Sequence, residues 1–272
     1  HGYAAGIFIS YKSLSKTEYV SRLIDAVNLV KTDDIKSLII ERINILAQSD
    51  IEEIEDKCGV KILDGRNEIL VHISYILKET CRLRNQILNE KEILIISDDT
   101  FWTEKLSMDI AKESRFLTIM SKDKKFREEL GKEILNKTGL SLQLMEKPDR
   151  TVQNFDIIIN MASNIQLDTK NIKRRAMIID ISLERKLDFL NCMRKDLLII
   201  IDLIFKNSGI LKSDSEVFSF KEKVYSYIYE GIKTQENAKP IGIRANGKNY
   251  KIDEAVDIYY GRKRNKSLFM VK

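Results

Sequence analysis

The chain has 272 residues and a mass of 31.6 kDa, with 46 Lys+Arg, 41 Asp+Glu and 43% hydrophobic residues. This composition excludes a disordered chain, which has fewer apolar residues, and a collagen, which needs glycine at every third position. Cys58, Cys81 and Cys192 form no CxxC pair. They fit neither a disulfide framework nor a zinc site, which predicts a reducing compartment and a cytoplasmic protein.

Two further classes are not expected from the sequence. No apolar run approaches the ~20 residues that a membrane helix needs, so we expect no membrane insertion. The first residues lack the basic flank and the apolar centre of a signal peptide. We therefore predict a soluble protein.

The net charge of +5 belongs to the C-terminal end, because residues 240–272 carry eight Lys/Arg against three Asp/Glu. A nucleic-acid-binding face needs cations along the whole contact, so we expect no nucleic-acid partner. The basic tail could instead contact an anionic partner or be a solvated tail. Its cations are Arg262, Lys263, Arg264 and Lys266.

We predict a smaller N-terminal α/β lobe over residues 1–88. Apolar residues at helical spacing predict helices over 16–30, from 50 to 59 and over 68–90. Short β-prone runs predict strands over 5–10, 36–46 and 60–63.

A doubly wound domain is predicted over residues 89–212. The apolar run 91–97 is typical of a parallel strand that is buried on both faces. Strands and helices alternate after it, which predicts an α/β fold with a doubly wound parallel, Rossmann-like sheet. The predicted strands are 91–97, 116–120, 140–144, 155–160, 176–181 and 197–201, and the predicted helices are 103–113 and 124–137.

Two smaller pieces follow. Residues 216–233 are predicted as a helix within a segment, 213–236, that packs back on the lobes. Residues 237–272 are predicted as a basic C-terminal β-appendage, with a hairpin turn at 245–249.

Open α/β sheets bind ligands outside the carboxyl ends of the strands, where the strand order reverses. This rule points to the loops after Ile96, Met120 and Asn160. The first candidate loop is Ser97, Asp98, Asp99 and Thr100. A dinucleotide site needs glycine there, because the backbone must approach the pyrophosphate, and this loop has none.

The two carboxylates of that loop also oppose a diphosphate. At ~4 Å and an effective dielectric constant near 20, each carboxylate–phosphate pair costs about 4 kcal/mol. The alternative role for Asp98 and Asp99 is to cap the helix that follows. We therefore expect that no cofactor binds. If one does bind, we expect it to be NADP.

The other two loops are more permissive. Ser121, Lys122 and Lys124 would suit the 2′-phosphate of NADP, although a solvated helix start explains them as well. Asn160, Ala162 and Ser163 would suit a loop over a nicotinamide ribose, or an ordinary turn. No metal site is predicted, and the zinc-protease, hydrolase and P-loop motifs are missing from the sequence.

Five segments resemble a known family in the same order. They are GYAAGIFIS (2–10), CGVKILDG (58–65), NFDIIINMAS (154–163), RAMIIDIS (175–182) and VYSYIYE (224–230). The family is the long-chain acyl-carrier-protein reductases with their clostridial relatives labelled as shikimate dehydrogenase-like, which are related to glutamyl-tRNA reductase. The resemblance implies NADP(H)-dependent reduction of an acyl thioester through a cysteine thioester. It also implies that this chain is a portion of a longer protein.

The sequence departs from the family at both reactive places. The phosphate loop is replaced by residues 97–102, and the family's cysteine position falls on Tyr227. A phenol of pKa near 10 is a poor substitute for a thiolate. We therefore predict a degenerate, non-catalytic member that binds a partner protein or a small molecule. The alternative is an active NAD(P)-dependent oxidoreductase with an atypical phosphate loop.

Overall fold

A computed structural model describes residues 6, 11–148, 150–163, 167–185, 187–188, 190–207, 222–232 and 238–261. The strand predicted over 5–10 lies outside these residues except for Gly6. The basic tail, Arg262, Lys263, Arg264 and Lys266, also lies outside them. Among the described helices, none has the length and apolar composition to cross a lipid bilayer.

The N-terminal unit consists of α1 (Lys16–Val30), β1 (Ser37–Leu38), α2 (Gln48–Cys58) and β2 (Lys61–Ile62), with β1 parallel to β2. The predicted strand over 36–46 is wrong beyond Leu38. Arg42 has a φ of 60°, a left-handed value that ends extended backbone, and a 3-10 turn follows. The buried side chains form a core of their own, which includes Val20, Leu23, Ile24, Leu46, Ile51 and Ile54.

The long helix α3 (Arg66–Leu83) joins this unit to the main sheet. It ends earlier than predicted, because Asn85 takes a left-handed φ of 53°. Its apolar side chains belong to the same core as the sheet and include Ile69, Ile73, Ile76 and Leu77.

The central sheet confirms the predicted fold class. Its six parallel strands are β3 (Glu92–Ile96), β4 (Phe116–Met120), β5 (Gln143–Met145), β6 (Ile157–Asn160), β7 (Met177–Asp180) and β8 (Leu198–Lys206). They lie in the order β5-β4-β3-β6-β7-β8, so the strand order reverses between β3 and β6. This is the Rossmann order, and it places the carboxyl ends of β3, β4 and β6 side by side.

The two halves of the sheet are connected differently. In the first half, α4 (Thr100–Ala111) and α5 (Lys124–Thr138) cross over as full helices. In the second half, the described connections contain the four-residue helix α6 (Leu190–Met193) and short 3-10 turns. The loop between β7 and α6 is therefore free to reach the N-terminal unit, and its Leu183 packs into that unit's core.

The C-terminal part adds to the same sheet. It contains β9 (Lys223–Tyr225), α7 (Ser226–Ile232), β10 (Gly242–Ala245), β11 (Lys248–Tyr250) and α8 (Ile252–Tyr260). The hairpin turn is present at Asn246 and Gly247, which both have positive φ. Its strand β10 pairs antiparallel with β8 and so extends the sheet.

The helix predicted over 216–233 is wrong for its middle part. Residues 223–225 form β9, because β8 continues to Lys206 and offers its edge to them in antiparallel register. The helix α7 begins at Ser226 and packs against α3. The predicted boundaries at residues 88, 212 and 236 stay predictions.

Candidate functional site

The crossover after β3 is built around two exposed aspartates. Asp99 is the N-cap of α4, and its Oδ1 accepts a hydrogen bond from the Trp102 amide at 2.9 Å. This confirms the capping role predicted for Asp99. The Ser97 hydroxyl contacts the amide and the carbonyl oxygen of Asp99, both at 3.0 Å, and so fixes the turn.

Asp98 has a different role from the predicted one. Its Oδ2 accepts a hydrogen bond from the Ser163 amide at 3.3 Å, across the point where the strand order reverses. The carboxylate therefore links the loop after β3 to the loop after β6, instead of capping α4. The sequence places these residues 65 positions apart, and only the fold brings them together.

Both contacts use amides at the edge where Rossmann proteins bind phosphate. A helix N-terminus binds an anion through its first N–H groups and its partial positive charge. Here the carboxylate of Asp99 already occupies the Trp102 amide. Thr100 begins α4, and the neighbouring Phe101 side chain is 66% exposed. The chain also has no glycine between Gly65 and Gly131.

The loop after β4 has the geometry of an ordinary helix start. The Ser121 hydroxyl accepts a hydrogen bond from the Asp123 amide at 3.3 Å, and Asp123 caps α5 through the Phe126 amide. Lys124, in the first turn of α5, lies 3.8 Å from Glu128. Lys122 is exposed. This arrangement favours the solvated helix start over a dedicated phosphate site.

Asn160, at the end of β6, points into the protein. It is fully buried, its Nδ2 donates to Asp180 Oδ1 at 2.9 Å, and its Oδ1 accepts from the Ala162 amide at 3.2 Å. Ala162 is also buried. The amide therefore holds two neighbouring strand ends together.

Asp180 is the centre of this network, and the sequence analysis missed it. Besides Asn160, it accepts hydrogen bonds from the Ser182 hydroxyl at 2.7 Å, the Ser182 amide at 3.3 Å and the Leu187 amide at 2.8 Å. Burial raises the pKa of Asp180, while these donors lower it. Its contacts fix the start and the end of the loop over residues 181–187.

A second buried aspartate, Asp202, lies in β8 near Tyr227. It forms an ion pair with Arg185 at 3.6 Å, and both residues were also missed from the sequence. Burial is the largest cause that raises the pKa of Tyr227 to about 12, and the negative charge of Asp202 is the next. The phenol at the family's cysteine position is therefore a weaker nucleophile than a free tyrosine.

Two of the three thiols are poor replacements for that nucleophile. Cys58 and Cys81 are buried, and burial raises the pKa of both. Cys192 is exposed on the short helix α6. Within the described ranges, no group of three or more His, Cys, Asp or Glu side chains could hold a metal ion.

Comparison with protein-family models and with curated proteins finds no match. Solved structures do match, including L-tryptophan dehydrogenase from Nostoc punctiforme at 10% identity and a TM-score of 0.40, over 70% of this chain and 56% of that one. Shikimate 5-dehydrogenase from Listeria monocytogenes, solved with shikimate and NAD, matches at 11% identity and a TM-score of 0.36, over 68% of this chain and 73% of that one.

A third match is Δ(1)-pyrroline-2-carboxylate reductase from Thermococcus litoralis, solved with NADH and L-proline. It shows 12% identity and a TM-score of 0.32 over 42% of this chain, which spans 36% of that protein's length. The fold assignment does not depend on these matches, because the strand order alone gives a Rossmann sheet.

Proposed function

We propose that this chain is a non-catalytic binding protein, a degenerate Rossmann-fold relative of NADP-dependent acyl reductases. The observation that carries the proposal is the pair of carboxylates at the crossover after β3. Asp99 occupies the Trp102 amide and Asp98 occupies the Ser163 amide. The protein's own anions thus take two backbone donors at the edge where a diphosphate would bind.

Electrostatic repulsion also disfavours a diphosphate at this edge. A diphosphate at this edge would approach both carboxylates, at a cost of about 4 kcal/mol for each pair at ~4 Å and an effective dielectric constant of 20. Two such costs together equal the ~8 kcal/mol that micromolar cofactor binding supplies. The raised pKa of Tyr227 and the burial of Cys58 and Cys81 argue against a thioester intermediate.

The test is a cofactor titration followed by tryptophan fluorescence. Trp102 is the only tryptophan and lies in the first turn of α4, next to the proposed obstruction. We expect no saturable quenching by micromolar NADPH or NADH, with free tryptophan as the control for light absorption by the cofactor. Saturable quenching of the wild-type protein would contradict the proposal.

Two double variants distinguish the effect of the carboxylate charges on NADPH binding from the effect of the backbone conformation. Asp98→Asn with Asp99→Asn removes the charges and keeps side chains that can cap a helix. Asp98→Gly with Asp99→Gly also frees the backbone to approach a ligand. If the carboxylates are the obstruction, we expect NADPH binding to appear in the glycine pair and to be weaker in the asparagine pair.

A further inference from the structure

The amino ends of the parallel strands form the edge of the sheet opposite the candidate site, and part of this edge is strongly basic. The segments 172–176, before β7, and 193–197, before β8, together contain five Lys/Arg and one Asp. Met177 pairs with Leu198 in parallel register, so the two segments enter the sheet one strand spacing, about 4.8 Å, apart. We call their cations the basic edge: Lys173, Arg174, Arg175, Arg194 and Lys195.

Arg194 and Asp196 fix the two segments to each other. The Arg194 Nη2 group donates a hydrogen bond to the Ile172 carbonyl oxygen at 3.2 Å, and its Nε donates to Asp196 Oδ1 at 2.8 Å. Asp196 Oδ2 accepts a hydrogen bond from the Arg175 amide at 3.3 Å. Because this last contact uses the backbone of Arg175, its guanidinium stays available to a partner.

Three cations of the basic edge have no charge partner in the part of the chain that the structure describes. Arg174, Arg175 and Lys195 are exposed, and their side chains form no ion pair with any described residue. Lys173 differs, because its Nζ lies 2.8 Å from Oδ1 of Asp156, the residue before β6. Three uncompensated positive charges on fixed segments give this edge a field that attracts an anionic surface.

The last described residues lie at the same edge. Tyr260, which ends α8, has its ring 3.8 Å from Cζ of Arg84, where α3 ends. Burial raises the pKa of the Tyr260 phenol, and the charge of Asp156 before β6 adds to this rise. After Gly261 the sequence continues with Arg262, Lys263, Arg264 and Lys266, followed by the apolar run 268–271.

Apolar side chains accompany the cations, which bears on the kind of partner. Met193, next to Arg194, is 65% exposed, and the run 268–271 reads Leu-Phe-Met-Val. An anionic bilayer attracts Lys and Arg to its headgroups and takes neighbouring apolar side chains into the boundary with the acyl chains. A nucleic acid binds through the cations and would leave these apolar side chains in water. The combination favours an anionic lipid surface.

We propose that the basic edge docks this protein on an anionic phospholipid bilayer, with Arg174, Arg175 and Lys195 against the headgroups. Binding of this kind takes place at the bilayer surface and needs no membrane-spanning helix. The basic edge lies at the opposite end of the strands from Asp98 and Asp99, which follow β3. Lipid docking is therefore independent of the proposed function, which concerns the carboxyl ends of the strands.

The test is co-sedimentation of the full chain with vesicles at millimolar lipid. We expect binding to vesicles of phosphatidylcholine with about 30% phosphatidylserine and no binding to phosphatidylcholine alone. The bound fraction should fall when NaCl is raised to about 0.5 M, because salt screens the attraction between exposed charges. A lack of binding to the anionic vesicles would overturn the proposal without any variant.

Two triple variants identify the cations that contact the lipid. The edge variant carries Arg174→Gln, Arg175→Gln and Lys195→Gln. The control variant removes three exposed cations from other parts of the surface and carries Arg22→Gln, Lys61→Gln and Lys132→Gln. We expect the partition coefficient to fall at least about tenfold in the edge variant and less than about twofold in the control. Equal reductions in the two variants would overturn the proposal.

Two further results would also overturn it. A tail variant with Arg262→Gln, Lys263→Gln and Arg264→Gln that no longer binds, beside an edge variant that binds normally, would assign the contact to the tail alone. Release of the protein from the vesicles by a DNA duplex of about 20 base pairs, at equal phosphate concentration, would assign the basic edge to nucleic acid. The NADPH titration is carried out without vesicles, so its result bears on the proposed function alone.

Discussion

Two buried aspartates at the carboxyl edge of the sheet differ in how their oxygens are satisfied. Asp180 ends β7, and Asp202 lies in β8 just beyond the pairing of Ile179 with Ile200. Both are fully buried. Asp180 receives hydrogen bonds on both oxygens, whereas Asp202 receives them on Oδ1 alone.

This difference bears on how each carboxylate contributes to the free energy of unfolding. A buried polar group that is fully hydrogen-bonded stabilises one conformation, and one that is left unpaired costs free energy. Asp180 therefore fixes its loop, while Asp202 keeps one buried oxygen without a hydrogen bond among the described residues. Asp98 and Asp99 are exposed, and each accepts a hydrogen bond from one of the protein's own amides.

The largest effect is expected from Asp180→Ala. The substitution leaves the donors of Asn160, Ser182 and Leu187 buried without their acceptor, so the free energy of unfolding should fall by about 3 kcal/mol. Urea unfolding measures this change. Asp168→Ala, in an exposed turn, is the control and should cost less than about 1 kcal/mol. An equal loss of unfolding free energy in the two variants would contradict the structural role assigned to Asp180.

A pH series tests how Asp202 titrates. Burial raises the pKa of Asp202 in the folded protein above its usual value of 3.8, so the folded state binds more protons than the unfolded state. The stability due to this group is therefore present below about pH 4 and is lost as the pH rises through the raised pKa. We expect Asp202→Asn to reduce this fall in stability. An unchanged pH dependence in the variant would show that Asp202 does not titrate in this way.

The smallest effects concern the exposed pair. Asp99→Ala removes the N-cap of α4 and should cost about 1 kcal/mol. Asp98→Ala removes one exposed hydrogen bond of 3.3 Å and should cost about 0.5 kcal/mol. Thermal unfolding of the two variants compares their losses of stability. A larger loss in Asp98→Ala than in Asp99→Ala would contradict the assignment of Asp99 as the cap.

Local pattern was enough to predict most of the sheet and the helices around it. The apolar run of β3 and the helical spacing of α1 depend on burial, which the sequence records directly. The extent of β8 was underestimated, because Asp202 interrupts its apolar run and a buried charge is rare in a strand. The end of α3 at Leu83 could not be predicted either, since it depends on the conformation of Asn85.

The site could be predicted only where the contacts are local. The cap by Asp99 follows from residue type and position, because aspartate is favoured just before a helix. The contact of Asp98 with Ser163 needs the strand order. The sequence does carry a signal for Asp180 and Asp202, since each follows consecutive isoleucines in an apolar strand, two before Asp180 and three before Asp202.

The most direct test of the central claim observes the two occupied amides themselves. In a ¹H–¹⁵N spectrum, the signals of Trp102 and Ser163 report whether any ligand displaces Asp99 and Asp98 from them. We expect both signals to keep the positions they have in buffer when NADPH is added in the millimolar range. A saturable shift of both signals with NADPH would contradict the claim that the protein's own carboxylates close this edge to a dinucleotide.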